Sequence, residues 1–346
     1  MLKTASNWSP PEHWQRIVTL DAHCAGEPLR IVLAGYPEIP GHTILDRRAF
    51  AREHLDHLRT ALMWEPRGHA DMYGCLIVPP ESDDADFGVL FLHNEGYSSM
   101  CGHGIIAVVS ALIETGALPP EPERVISIDT PAGRVEATPN LLDGQLTGVS
   151  FDNVPSFVVE LDCDVKVPEL GQVRYDLAFG GAFYAYVDGN QFDPPIRCMP
   201  GEIERMIALG KRIKQAVASS REIVHPFEAD LSFLYGVIFT GPPLEPDNHS
   251  RNCCIFAEGE VDRSPTGTGV SGRATIHHAR QEMSRGDRIR IESVLGTCFD
   301  VEIVREVKFG PYQAIVPRVT GQAHLTGRNE FFLDPNDPLR TGFLLR

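Results

Sequence analysis

The sequence predicts an α+β protein of two α/β halves laid out on one plan. Two observations carry this. A run of strand, outer helix, strands, glycine-rich helix start and strands occurs twice along the 346 residues. The two glycine-rich starts, Cys101-Gly-His-Gly and Thr266-Gly-Thr-Gly, fall at matching places in that order.

In chain order, RIVTLDAHCAGEPLRIVLAG reads as two strands joined around Gly26-Glu27-Pro28. RAFAREHLDHLRTALMWEP is patterned as one amphipathic helix stopped by Pro66. YGCLIVPP and FGVLFLHN are apolar strands on either side of the acidic turn ESDDAD. CGHGIIAVVSALIETG then makes a helix ended by Gly116 and the prolines beyond it. Ile105, Ile106, Ala107, Val108, Val109, Ala111, Leu112 and Ile113 surround most of that helix, so it belongs inside a domain. RVISIDT and QLTGVSFDNV follow as strands.

The second half starts with AFYAYVD as a strand and GEIERMIALGKRIKQAVASS as its outer helix. SFLYGVIFTG and CCIFAEG are strands, a helix begins near Thr266, and RIRIESV and VEIVREV are strands again. The boundary is expected near GGAF, with residues 1–183 in the first half and 184–324 in the second. The C-terminal segment 325–346 is expected to rejoin the first half.

Apolar residues make up 42% of the chain and charged residues 23%, ordinary values for a globular protein. A net charge of -16 without a basic run argues against a non-specific grip on nucleic acid or an anionic membrane. No stretch approaches the roughly 18 continuous apolar residues of a membrane span. The N-terminus lacks the apolar core of a signal peptide, and the eight cysteines lack the spacing of a disulfide scaffold. Reduced thiols in a cytoplasm are therefore expected. No metal is expected: His23-Cys24 has no matching ligand set, and Cys253-Cys254 is unsuited to zinc spacing.

The helix mouths look chemical. The first N–H groups of a helix lack intrahelical partners, and its dipole makes that end partly positive, so a carboxylate can be held there by backbone amides. Gly102 and Gly104 clear the approach. The same field favours a thiolate at Cys101, since cysteines at helix N-termini can titrate at about 3.5–7.5. The second mouth offers Asp262, Ser264, Thr266 and Thr268. Each mouth also has a purely structural reading. Ser99 lies near the start of the first helix, and Ser264 as cap with Pro265 at the first helical position is a common start for the second.

MCGHG at 100–104 with DRSPTGTG at 262–269 resembles the proline racemase family. The similarity extends through EPRGHADMYG, GGAFYAYVD and RNCCIFAEGEVDRSP, most of the chain. The resemblance implies a diaminopimelate epimerase-like fold: mirrored halves, each a β-rich shell around a central helix, with the site in the cleft between them and no cofactor. In the family's racemases two cysteines face each other across the substrate Cα. Here the second is Thr266, a poor proton source, which implies that racemisation is crippled. The Cys/Thr pair resembles the family's dehydratases of trans-3-hydroxy-L-proline.

On that resemblance Cys101 takes the Cα proton, and Thr266 sits near the leaving 3-hydroxyl, orienting it or relaying a proton. Gly102, His103, Gly267 and Thr268 supply amides to the carboxylate, and Asp262 holds the ring ammonium. Tyr73 and Phe256 wall the ring, with Phe183 as a further wall residue. The partner is a small amino acid, and the family admits a homodimer, although no interface is legible. Two other activities stay open: a proline racemase or hydroxyproline 2-epimerase in which Thr266 passes a proton through water, and a non-catalytic carboxylate-binding protein.

Overall fold

The computed structural model describes residues 1–346 apart from 3, 5, 6 and 346. The chain opens with strands β1 (Gln15–Cys24) and β2 (Glu27–Ala34), then helices α1 (Ile44–His54) and α2 (Asp56–Met63). Strands β3 (Tyr73–Val78), β4 (Phe87–His93) and β5 (Gly96–Ser98) lead into α3 (Gly102–Glu114). Next come β6 (Ile126–Thr130), β7 (Gly133–Leu142), β8 (Gln145–Asp152), β9 (Ser156–Val167), β10 (Gly171–Phe179) and β11 (Phe183–Asp188). Helix α4 (Ile203–Ser220) precedes β12 (Leu234–Gly241), β13 (Ser250–Phe256), β14 (Glu260–Asp262) and helix α5 (Gly267–Ala279). Strands β15 (Arg288–Glu292), β16 (Cys298–Phe309), β17 (Tyr312–Gly321) and β18 (Ala323–Leu333) complete the fold. The expected single helix before Pro66 is two, broken at Leu55, whose backbone (φ −120°, ψ 9°) leaves the helical region. The apolar stripe continues across the break, because Ala51, Leu58 and Leu62 enter one core cluster.

The same order of strand pairing occurs twice. In one set β18, β1 and β2 pair antiparallel, β2 and β3 parallel, β3 and β4 antiparallel, β4 and β6 parallel, and β6, β7 and β8 antiparallel. In the other, β9, β10 and β11 pair antiparallel, β11 and β12 parallel, β12 and β13 antiparallel, β13 and β15 parallel, and β15, β16 and β17 antiparallel. Pairing of Ala314 with Phe157 and Ile315 with Ser156 closes this second set into a barrel. Strands β8 and β17 join the sets. The chain therefore changes set at 153–155 and again at Gln322, where the sequence suggested 183/184 and 324/325. Local alternation marks a strand but not its partner, so β9 and β10 carried no sign of the set they would join.

A carboxylate braces each set at the same place. Asp129 on β6 accepts the Glu81 and Ser82 N–H groups in the loop after β3, both at 2.9 Å. Glu292 on β15 accepts the Leu244 and Glu245 N–H groups after β12, at 2.7 and 2.8 Å, and pairs with buried Arg251 at 2.7 Å. These donors, with Asn248, hold the Glu292 carboxyl down at about 2 against its burial.

Helix α3 packs against β1, β2, β7, β8 and β18, and α5 against β9, β10, β13, β16 and β17. The second helix is buried despite its polar residues, because each finds a partner. Ser271 donates to the Gly267 carbonyl at 2.9 Å, Thr275 to that of Gly272 at 3.0 Å, and Arg273 to Asn252 Oδ1 at 2.9 Å. Among the described residues no helix is long and apolar enough to cross a membrane.

The two helices meet head to head. A Cβ built on Gly102 would lie 2.6 Å from the Gly267 Cα, and one built on Gly267 would lie 2.6 Å from the Gly102 Cα. Backbone meets backbone, and only glycine permits it. Gly267→Ala should therefore lower unfolding stability by about 1–3 kcal/mol through overpacking, read as a reduced denaturant midpoint. Gly201→Ala, where an added Cβ meets open space, should leave the midpoint unchanged.

Candidate active site

Strand β5 delivers the chain to the mouth of α3, where Cys101 is the N-cap (φ −145°, ψ 106°). Its Sγ accepts the Gly104 N–H at 3.2 Å and lies 3.1 Å from His103 Nδ1. Ser99 is not the cap; it donates to the Gly181 carbonyl at 2.9 Å. Gly102 and His103 occupy the first turn, where N–H groups have no intrahelical carbonyl.

Across the glycine contact, β14 delivers the chain to α5. Asp262 Oδ1 accepts the Ser264 N–H at 2.8 Å, and Ser264 Oγ accepts the Thr266 N–H at 3.0 Å. The N-cap is thus Thr266, whose carbonyl accepts the Val270 N–H at 2.7 Å, and the expected Ser264 cap with Pro265 as first helical residue is replaced by a tight approach turn. Thr266 stands at φ 66°, in the left-handed region where a β-branched residue is rare. Each residue is as buried as the other, Thr266 and Cys101 both being 4% exposed, and among the described residues the Thr266 hydroxyl has no hydrogen-bond partner of normal geometry. The Cys254 thiol lies near enough for Thr266 to offset part of the upward push that burial gives that thiol.

Nine of the ten residues singled out from the sequence line one cavity: Cys101, Gly102 and His103 from one mouth, Asp262, Thr266, Gly267 and Thr268 from the other, with Tyr73 and Phe256 as walls. Phe183 does not. It packs among Phe157, Phe179 and His225, while the next residue of β11, Tyr184, faces the site with its hydroxyl 2.7 Å from Thr268 Oγ1. Successive strand residues point to opposite faces, so one position decides. Sequence reasoning also passed over Glu27, Met100, Tyr235 and Cys254, which complete the lining. Glu27 stood in plain view inside the Gly26-Glu27-Pro28 turn, and Tyr235 within a strand already marked. The cavity measures about 20 Å³, room for about one water and not for a ring, so ring entry requires the walls to part.

The electrostatics differ from expectation. Burial pushes the Cys101 thiol up, the Gly104 N–H pulls it back, and Asp262 adds to the rise, so the helix end does not prevail in this enclosed site. Burial lowers His103, opposed by Asp262. Burial and then Asp262 raise the Glu27 carboxyl, against Arg263, whose backbone N–H and Nη1 reach Glu27 Oε2 at 2.7 and 3.2 Å.

The chain is similar to known proteins over most of its length. The pattern of the family described as Proline racemase matches residues 19–344. The chain belongs to the proline racemase family. A family relative from Colwellia psychrerythraea, named trans-3-hydroxy-L-proline dehydratase, is 46% identical over 98% of this chain and 96% of its own. Another, from Burkholderia multivorans and named 3-hydroxyproline 2-epimerase, is 45% identical over 95% of this chain and 98% of its own. The crystal structure of a hydroxyproline epimerase from Agrobacterium vitis with bound trans-4-hydroxy-L-proline is similar at a TM-score of 0.89 and 34% identity, covering 96% of each chain.

For this proline racemase-family site the raised thiol has a direct signature. Alkylation of Cys101, followed by mass spectrometry in the ligand-free protein, should keep rising beyond pH 8.5, the ordinary thiol range. A plateau reached below pH 8, the mark of a lowered thiol, would contradict burial as the dominant influence on Cys101.

Proposed function

We propose that this chain is a cofactor-independent hydro-lyase that converts trans-3-hydroxy-L-proline to Δ1-pyrroline-2-carboxylate. The observation that carries it is the alcohol of Thr266, buried and, among the described residues, without a hydrogen-bond partner of normal geometry, on the cavity that also receives the Cys101 thiol. An alcohol is too weak an acid to hand a proton to Cα, so removal of the α-proton leads to loss of the neighbouring hydroxyl rather than inversion. Relatives at 45–47% identity that carry the dehydratase name support the same reading.

The two β sets are read as pseudo-symmetric halves, residues 1–152 with 323–345 and residues 156–321, each a shell around its helix. The repeated pairing order and the Asp129 and Glu292 braces support that division. The substrate carboxylate lies in the cleft between the halves, on the first-turn amides of Gly102 and His103 and of Gly267 and Thr268. Asp262 takes the ring ammonium. Cys101 as thiolate removes the Cα proton, and the negative charge that spreads onto the carboxylate is met by both helix ends. Expulsion of the 3-hydroxyl gives the enamine, which tautomerises to the imine. Tyr73 and Phe256 keep water from the carbanion.

A product assay tests this. Trans-3-hydroxy-L-proline should yield the cyclic imine, and Cys101→Ser should lower turnover by about 10²–10⁴-fold, the worth of a positioned base. Thr266→Cys should gain measurable 2-epimerisation. Rapid epimerisation of trans-4-hydroxy-L-proline by the unaltered protein, with no water lost from the 3-hydroxy isomer, would overturn the dehydratase reading in favour of an epimerase.

A further inference from the structure

The stereochemistry of the substrate decides where its leaving oxygen sits. In trans-3-hydroxy-L-proline the 3-hydroxyl is trans to the carboxylate, and the hydrogen on Cα is also opposite the carboxylate. Hydroxyl and α-hydrogen therefore share one face of the ring. If Cys101 takes that hydrogen, the C–O bond that breaks lies on the Cys101 side, and Thr266 lies on the other. On that condition the acid is to be sought on the thiol's side of the ring rather than at Thr266.

Resting on the dehydratase reading, we propose that Tyr73 is the catalytic acid that protonates the departing 3-hydroxyl, held and recharged through a Tyr73–Ser98–Tyr235 hydrogen-bond chain. Tyr73 on β3 is buried and lines the cavity with Cys101, its ring edge-on to His103 at 4.9 Å between centroids. Its hydroxyl is hydrogen-bonded to Ser98 Oγ, which lies 2.7 Å from the Tyr235 hydroxyl. Tyr235 comes from β12 in the other half and stacks on Phe256 at 5.3 Å and 11°. A serine hydroxyl has one donor and two acceptor positions, so Ser98 can accept from one phenol while donating to the other. When Tyr73 gives up its proton, Ser98 turns its O–H toward the phenolate and Tyr235 donates to Ser98 in turn. His103 is the less suitable acid: its ring nitrogens lie 3.1 and 3.6 Å from Cys101 Sγ, and burial keeps it neutral.

The step balances without a further reagent. The Cα–H bond breaks and its proton goes to the Cys101 thiolate, while its electron pair forms the C2–C3 double bond. The C3–O bond breaks with its pair on oxygen, and the Tyr73 proton completes a water molecule. What remains is a Cys101 thiol beside a Tyr73 phenolate, and transfer from sulfur to oxygen restores both. Both groups line the same cavity, close enough that the Tyr73 hydroxyl offsets part of the rise that burial gives the Cys101 thiol.

The test is Tyr73→Phe, which keeps the ring as a wall, run with trans-3-hydroxy-L-proline in deuterated water and followed by NMR. Dehydration should fall about 10²–10⁴-fold while deuterium still enters Cα of recovered substrate, so the ratio of exchange to water loss rises. Ser98→Ala should shift the same ratio in the same direction by less, with the melting temperature recorded for both variants. Tyr73→Phe dehydrating within about threefold of the unaltered protein would overturn the proposal, leaving Cys101 to return its own proton. Equal loss of exchange and dehydration would overturn it as well, reducing Tyr73 to a packing role. Failure of the dehydratase reading shows separately, as absence of water loss in the unaltered protein.

Discussion

The approach of Gly102 to Gly267 is the contact from which the rest of the site follows. Each glycine heads a helix packed mainly against its own β set, and the two helices meet where Gly102 approaches Gly267. Because the crossing lies at the first residue of both helices, their free amides and positive ends converge on one small volume. The capping residues, Cys101 and Thr266, are then necessarily at its rim. A thiol and an alcohol come together through two helix starts 165 residues apart in sequence, and neither depends on a flexible loop.

Convergence of this kind works against the thiolate as much as for it. The cavity that brings amides to the substrate also strips water from Cys101, and Glu27 and Asp262 add negative charge nearby. On the proposed function an amino acid zwitterion would answer both conditions, its carboxylate at the helix ends and its ammonium beside the acidic pair. In an enclosed space such interactions count for more than they would in water. The buried Thr266 hydroxyl, which among the described residues has no hydrogen-bond partner of normal geometry, lines the same cavity.

Much of this was legible along the chain, and the exceptions share a cause. The repeated element order, the apolar helix and the two glycine-rich mouths are local patterns, and nine of the residues they pointed to line one cavity. Long-range pairing leaves no local trace, which is why the pairing of β9 and β10 with β11 is not legible along the chain. The doubled prolines after β3 and β12, Pro79-Pro80 and Pro242-Pro243, were a second repeat that could have marked the braced loops. Phe183 against Tyr184 turned on a single register step. The partners that let Ser271, Arg273 and Thr275 of α5 be buried are likewise long-range or internal to the helix, and carry no signature along the chain. The direction of the Cys101 shift was misjudged because a sequence displays a helix end but not the depth at which it lies.

Thr266 carries one more consequence. A β-branched residue held at φ 66° costs on the order of 1–3 kcal/mol that glycine or asparagine would largely escape. Laboratory evolution for heat resistance alone would thus be drawn to replace the residue to which the proposed function assigns the choice of reaction. On that proposal robustness and reaction type would be opposed at a single codon.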